Sequence, residues 1–335
     1  MPSEIPDMNR LDNQTPVLRP KRLFIVASRR SGTTWAMRLL AQHPDVVACQ
    51  QSGLFSALQP LSEFWHWERR YGRWIHAPAS TAVSDDGNGS RAGLSLHAVL
   101  DRARYAEFVR PIVEYVFDRI ASTHPSPKAI VEQTPENLRI AHAILQILPD
   151  AYFLHVIRDP RSVFASQRQA ALTWARPGDF SLDPTHAAKE WRSDVMAGRD
   201  IAVYTSHYLE TTYEKLRKDG AAELQRIFAW LGLSAELDLC ARAVESCAID
   251  KLRDEPSAPK GFYRKGETQG WRAELNRRQV KQIEYVAGDM MAVLGYERLF
   301  PNLRRKTPLR FQLRKLIAGL VQERQAAPRP PSPRT

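Results

Sequence analysis

Between Ser28 and Trp35 the chain reads Ser-Arg-Arg-Ser-Gly-Thr-Thr-Trp, which places two guanidinium groups, a glycine and a run of hydroxyls within one short turn. Leu23 to Ser28 (LFIVAS) before it has the length of a buried strand, and Trp35, Met37, Leu39 and Leu40 after it recur among helix formers. A turn that joins a buried strand to a helix aims free backbone N–H groups at one point, where the positive end of the helix dipole also lies. An anion binds there. Gly32 allows close backbone approach, Ser31, Thr33 and Thr34 offer hydroxyl donors, and Arg30 adds a permanent cation. The pattern Gly-x-x-x-x-Gly-Lys-Ser/Thr is not met, because no glycine stands upstream and Thr33 follows Gly32 where a lysine is required, so ATP hydrolysis is disfavoured. Read alone, the same residues also make an ordinary Ser/Thr helix cap.

The elements that must hold this turn follow from punctuation and periodicity. His43-Pro44-Asp45 ends the first helix, since a residue before proline is pushed out of the α region, and Val46 to Gln50 predicts a second strand. Phe108, Ile112, Val113, Val116, Phe117 and Ile120 have helical spacing within Tyr105 to Ile120. Ala129 to Glu132 predicts a strand ending in Thr134-Pro135, Leu138 to Ile147 a helix, and Tyr152 to Ile157 (YFLHVI) a buried strand. Arg158-Asp159-Pro160-Arg161 comes next, with a helix through Ser166. Beyond a loop over Trp174 to Pro184, the pattern predicts a helix over Lys189 to Val203, a strand over His207 to Tyr213 and a helix over Ala222 to Gly232 closed by glycine. Strands alternating with helices predict an α/β fold with a mostly parallel central sheet flanked by helices.

The turn, followed by Leu39-Leu40 and His43-Pro44-Asp45-Val46, resembles the 5'-phosphosulfate loop of sulfotransferases that use 3'-phosphoadenosine 5'-phosphosulfate. It is closest in pattern to the bacterial and tyrosylprotein branches with Arg-Ser-Gly-Thr-Thr. The resemblance implies a P-loop-like sulfotransferase fold, with Arg29, Arg30, Ser31, Gly32, Thr33 and Thr34 around the 5' end of the donor and Trp35 stacked on adenine. Three more segments occur in the family's order. Arg158 and Ser166 match its 3'-phosphate element, and a strand-end guanidinium with a hydroxyl two helical turns on can converge on one phosphate. Tyr213-Glu214-Lys215-Leu216 is similar to a segment whose tyrosine contacts adenine, and Arg264-Lys265-Gly266 with Gly270-Trp271-Arg272 resembles the loop that closes over the 3'-phosphate. The resemblance covers roughly Leu23 to Arg272. It implies sulfuryl transfer to a hydroxyl by in-line displacement, with no metal, and with Arg30 stabilising negative charge on the departing bisphosphate.

Two positions depart from the family. Where related branches carry a glutamate as general base, counting from the turn leads to Gln51, and Val131-Glu132-Gln133-Thr134-Pro135-Glu136 resembles the bacterial Glu-Lys-Thr-Pro element with Gln133 in place of lysine. A neutral amide cannot take the proton. Glu132 and Glu136 are the remaining nearby carboxylates, although Glu132 points away if residue 133 faces the site; His66, His97 or an acidic acceptor are alternatives. A phenolic acceptor needs less help than an alcohol. The competing reading is a catalytically weakened relative that binds the nucleotide and serves a regulatory or interaction role.

Composition sets the frame. The chain has 335 residues, 43% of them hydrophobic, and a net charge of +11. Nine basic residues and one acid, Glu323, give the segment 301–335 a charge of +8, leaving +3 for the rest, so the body is like an ordinary enzyme with a locally basic site and no nucleic-acid partner is expected, while the resemblance implies a small-molecule acceptor. Leu309, Leu313, Leu316, Ile317 and Leu320 share a helical face beside Arg310, Arg314 and Lys315, which suits a terminal helix packed on the body or contact with a membrane surface. Cys49, Cys240 and Cys247 form neither a CxxC pair nor a Cys/His cluster, and residues 1–20 hold no apolar run, so a cytoplasmic location without a transmembrane segment is expected. The expected organisation is a flexible N-terminus over 1–20, a sulfotransferase domain over 21–300 with variable acceptor regions at about 52–104 and 167–186, and a basic tail over 301–335 ending in a Pro-rich disordered stretch.

Overall fold

The computed structural model describes residues 19–58, 102–252, 259, 262–263 and 266–303. The apolar run near the N-terminus forms β1 (Lys21–Val26), whose side chains alternate between two cores. Leu23 and Ile25 pack with Trp35 and Leu39 of α1 (Thr33–Leu40) on one face of the sheet. Phe24 and Val26 enter the opposite core with Val113 and Phe117 of α2 (Arg102–Ala121). A strand covered on both faces reads as continuously apolar.

β2 (Val46–Gln50), β3 (Ala129–Gln133), β4 (Tyr152–Ile157) and β5 (Tyr208–Thr212) complete a five-stranded parallel sheet in the order β2-β3-β1-β4-β5. β1 and β4 are hydrogen-bonded neighbours, yet the chain winds to opposite sides of the sheet from them. Such a switch point opens a crevice at the carboxyl ends of the strands, where ligands of open α/β sheets bind. The turns after β1 and β4 meet there.

Between β3 and β4 come a 3₁₀ turn (Pro135–Arg139) and α3 (Ala141–Ile147). A continuous helix over 138–147 is not formed, because Ile140, at φ −121°, separates the two pieces. After β4 come α4 (Pro160–Thr173) and α5 (Pro184–Asp200). α5 begins five residues before the predicted start because Asp183 caps it, accepting from the Thr185 N–H at 2.9 Å. The strand predicted over 207–213 stops at Thr212, whose hydroxyl accepts from the Lys215 N–H and so makes Tyr213 the first residue of α6 (Tyr213–Lys218).

α7 (Gly220–Trp230), α8 (Leu237–Ser246) and α9 (Ile249–Leu252) cover the first core; α10 (Trp271–Glu274) and α11 (Arg277–Val293) close a third core with α4 and α5. Residues 1–18, 59–101 and 304–335 lie outside the described residues, and with them the expected N-terminal segment, most of the first acceptor region, His66, His97 and the basic tail. No described helix is long and apolar enough to cross a membrane.

Candidate active site

A cleft of about 270 Å³ lies along the carboxyl edge of the sheet. All five strands deliver residues to it: Arg29 to Trp35 after β1, Gln51 after β2, Gln133 and Glu136 at the end of β3, Arg158 and Ser166 after β4, and Tyr213 after β5.

The turn after β1 has two left-handed residues, Arg30 at φ 71° and Gly32 at φ 90°. For an arginine that conformation costs about 1–2 kcal/mol, so its surroundings must hold it. They do so at both ends of the residue. The Arg30 guanidinium donates to Ser166 Oγ (3.2 Å) and to the Phe262 carbonyl (3.0 Å), and lies over the rings of Phe262 and Trp174. Its backbone carbonyl accepts from Arg158 Nη1 at 3.2 Å. Gly32 is obligatory in size as well as in angle, because a Cβ there would stand 2.5 Å from Tyr213 Cδ2.

Arg158 stacks over the Tyr213 ring at 4.1 Å, and the Tyr213 hydroxyl donates to the Gly266 carbonyl at 3.4 Å. Four segments singled out in the sequence are thereby tied together: Arg30 to Ser166, Arg158 to the turn and to Tyr213, and Tyr213 to Gly266. Trp35 lines the cleft while its Nε1 donates to the Cys247 carbonyl and its ring meets Tyr213 edge-on at 5.6 Å. Arg264 and Lys265 lie outside the described residues. Arg161 is buried and spent on structure: it pairs with Asp159 and Glu284 and stacks on Trp271 at 3.9 Å.

These side chains fit an anionic ligand. Among the described residues, the buried donors Ser31 Oγ and Arg158 Nε have no hydrogen-bond partner, an arrangement that calls for an acceptor such as phosphate oxygen. Thr33 Oγ1 accepts from Gln133 Nε2 at 2.9 Å, which leaves its own proton to donate. No group of three or more described His, Cys, Asp or Glu side chains is arranged to hold a metal ion.

The other half of the cleft is aromatic and carries a carboxylate. Glu136 pairs with Arg29 Nε at 3.1 Å; Arg29 also donates to the Asp179 carbonyl (2.8 Å) and lies over Phe180 at 4.4 Å. Trp174, Phe180 and Phe262 form the wall beside them. Glu132 is not among the lining residues. It is buried with its side chain held by Ser52, Thr134 and Asn137, on the face of β3 opposite to Gln133, so of the two carboxylates expected at the reaction Glu132 is kept out of the cleft and Glu136 lines it, as do Glu267 and Glu274. Phe180, which lines the cleft, and Gln167, whose Nε2 donates to the Arg29 carbonyl, fall in the expected acceptor region 167–186, whereas Phe262 and Tyr263 line the cleft from outside any expected acceptor region. Only the place of Phe262-Tyr263 directly before Arg264-Lys265-Gly266 gave a signal.

A family model described as "Sulfotransferase family" matches residues 20–236. Nodulation protein NoeE of Sinorhizobium fredii is 22% identical over 306 residues, 85% of this chain and 68% of that protein. Carbohydrate sulfotransferase 2 of Homo sapiens is 35% identical over 98 residues, which is 28% of this chain and only 18% of the relative. Among solved structures, a mouse sulfotransferase complexed with PAP superposes with a TM-score of 0.51 at 13% identity, covering 92% of this chain and 89% of that one, a likeness of fold.

Proposed function

From the premise that the chain belongs to the sulfotransferase family, we propose that it moves the sulfuryl group of 3'-phosphoadenosine 5'-phosphosulfate to a hydroxyl of a small-molecule acceptor. The observation that carries this reading is the convergence of Arg30, Ser166, Arg158 and Tyr213 on one cleft at the switch point of the sheet. One phosphate of the donor would take the N–H groups at the start of α1 with Arg30. The second would take Arg158 and Ser166, with Arg264, Lys265 and Gly266 closing over that phosphate, and the adenine would lie by Trp35 and Tyr213. Guanidinium groups that arrive from two strand ends, Arg30 after β1 and Arg158 after β4, suit a nucleotide that carries two phosphates.

In the reaction the acceptor oxygen attacks sulfur, the bond from sulfur to the 5'-phosphate oxygen breaks in line, and its electron pair leaves on adenosine 3',5'-bisphosphate. Arg30 stabilises that charge. The hydroxyl proton passes to Glu136, which pairs with Arg29 beside Phe180, and the wall of Trp174, Phe180 and Phe262 suits a flat ring such as a phenol. The three cysteines are free, which is compatible with the reducing cytoplasm.

Donor-dependent sulfation of a panel of phenols, alcohols and sugars, followed by mass, tests the proposal. Arg30→Ala is expected to lower kcat about 10²- to 10³-fold, and Glu136→Gln about 10²-fold on alcohols with less effect on acidic phenols. Full activity of Arg30→Ala would refute its role. The reading as a weakened, nucleotide-binding relative draws on Gln51 and Gln133, both neutral amides in the cleft; it predicts tight binding of adenosine 3',5'-bisphosphate with no transfer to any acceptor of the panel.

A further inference from the structure

The Glu132 carboxylate has no part in the mechanism above, yet its surroundings are arranged for an anion. Oε1 accepts from the Ser52 N–H (3.3 Å), from Ser52 Oγ (2.7 Å) and from Thr134 Oγ1 (2.5 Å), and Oε2 accepts from Asn137 Nδ2 (2.9 Å). Ser52 Oγ itself accepts from the Leu54 N–H at 3.2 Å, which commits its proton to Glu132. The side chain is 1% exposed; burial pushes its pKa up, while the donors from Thr134 and Ser52 pull it down.

These donors sit on two segments, and both segments reach the cleft, the first with Gln51 and the second with Pro135 and Glu136. Ser52 follows Gln51, which is held at φ 45° with its N–H donating to the Gln133 carbonyl at 2.9 Å. A left-handed glutamine is costly and persists only where neighbouring bonds fix it. Thr134 and Asn137 bracket Glu136 on the turn after β3. We propose that Glu132 is a positioning residue whose carboxylate fastens the end of β2 to the turn after β3, so that Gln51 and Glu136 are presented together to the acceptor hydroxyl. The proposal rests on the sulfotransferase reading.

Oε1 alone takes donors from both segments, Ser52 and Thr134, while Oε2 takes Asn137. A glutamine turned with its oxygen toward Ser52 and Thr134 offers them a neutral acceptor in place of a charged one and sets its NH₂ against Asn137 Nδ2, and turned the other way it sets its NH₂ against both hydroxyls, so the fastening is weakened whichever way it faces. None of these bonds to Glu132 ends on the turn after β1, on Arg158 or on Tyr213. The expected signature is therefore a defect confined to the acceptor side, which a general loss of stability would not give.

The experiment compares Glu132→Gln with the wild-type full chain, counting active sites by titration with adenosine 3',5'-bisphosphate. We expect kcat to fall about 10- to 100-fold and the acceptor KM to rise, the range for misplaced reacting groups, with the bisphosphate Kd within about twofold. Ser52→Ala, which cuts the β2 tether alone, is expected to raise the acceptor KM with the same unchanged Kd, and it decides the matter if Glu132→Gln does not fold. Unchanged kcat and acceptor KM, or a parallel loss of bisphosphate affinity, would overturn the proposal. Should the wild type bind the bisphosphate but transfer no sulfuryl group, the functional reading fails and the tether is read separately: amide exchange at Ser52 and Leu54 accelerates in Glu132→Gln if the tether exists and is unchanged if it does not.

Discussion

Gly32→Ala puts the geometry of the turn to its most direct test. Two costs arise at once. At φ 90° the new methyl group is carried on a left-handed backbone, worth about 1–2 kcal/mol, and it stands 2.5 Å from Tyr213 Cδ2 and 2.8 Å from Cε2, well inside contact distance. The ring cannot retreat freely, since it is 4% exposed between Arg158 at 4.1 Å and Trp35 at 5.6 Å. Overpacking of this kind costs about 1–3 kcal/mol, so the total is about 2–5 kcal/mol, taken either from stability or from the alignment of the N–H groups at the start of α1. If it falls on binding, affinity for adenosine 3',5'-bisphosphate drops at least about 30-fold. Calorimetric titration measures the affinity and urea unfolding the stability. Because the backbone and clash terms are similar in size, a cycle with Tyr213→Ala separates them: removing the ring should restore at least about 1 kcal/mol of the stability that Gly32→Ala removes. A Gly32→Ala protein as stable and as tight-binding as wild type would refute the assignment, and strictly additive stabilities would refute the clash.

Arg158→Ala should weaken adenosine 3',5'-bisphosphate about 10- to 100-fold and adenosine 5'-phosphate by clearly less, the smaller loss coming from the Arg30 carbonyl and Tyr213 ring that Arg158 also holds; equal losses for both nucleotides, measured by titration, would detach Arg158 from the 3'-phosphate. His155 is wholly buried between β4 and α5, and burial lowers its pKa from 6.5 to about 4, with Glu210 opposing and Arg199 assisting. The unfolded chain takes up its proton first, so the contribution is complete above about pH 6.5 and is lost progressively as pH falls to about 4, roughly 3 kcal/mol in all. His155→Gln should lack that slope when the two proteins are unfolded in urea at pH 7 and pH 4.5. Glu284→Gln leaves the buried Arg161 paired with Asp159 alone and disturbs the carboxylate that accepts the Leu299 and Phe300 N–H groups, so a loss of about 3 kcal/mol is expected by the same method.

What could be read in advance divides along physical lines. Strands buried on both faces announce themselves as apolar runs, and Tyr152 to Ile157 appears in the structure with the predicted bounds. Helix ends were less legible, because they are set by side chains with two uses: Thr212 continues a strand pattern yet caps α6, and Asp183 lies in a loop pattern yet starts α5. The turn after β1 was legible as an anion site because concentrated cations, hydroxyls and glycine are a combination rare outside such turns. The aromatic wall was legible only as a region, 167–186 with Trp174, because tryptophan and phenylalanine at a cleft have the same pattern as in a core, and Phe262 reaches Arg30 from 232 positions along the chain.

The adjacent residues Glu132 and Gln133 show how one strand divides the work. Register pairs Gln133 with Gln50 and Glu132 with Cys49 across β2, so successive side chains face opposite sides, one toward Thr33 in the cleft and the other toward Ser52 and Asn137. A cation at 133 would have placed charge beside the turn; the amide instead contributes a hydrogen bond to Thr33. Among the described residues, the carboxylate beside the aromatic wall is Glu136, held against Arg29. If that carboxylate takes the proton, its distance from the acceptor hydroxyl governs the rate, and the side chain that fastens both segments around it is Glu132. Sensitivity of kcat to Glu132 and to Glu136, with Gly32 and Arg158 governing nucleotide affinity, is therefore one partition of a single cleft: cations and the turn for the donor, and two carboxylates, one buried and one exposed, for the acceptor.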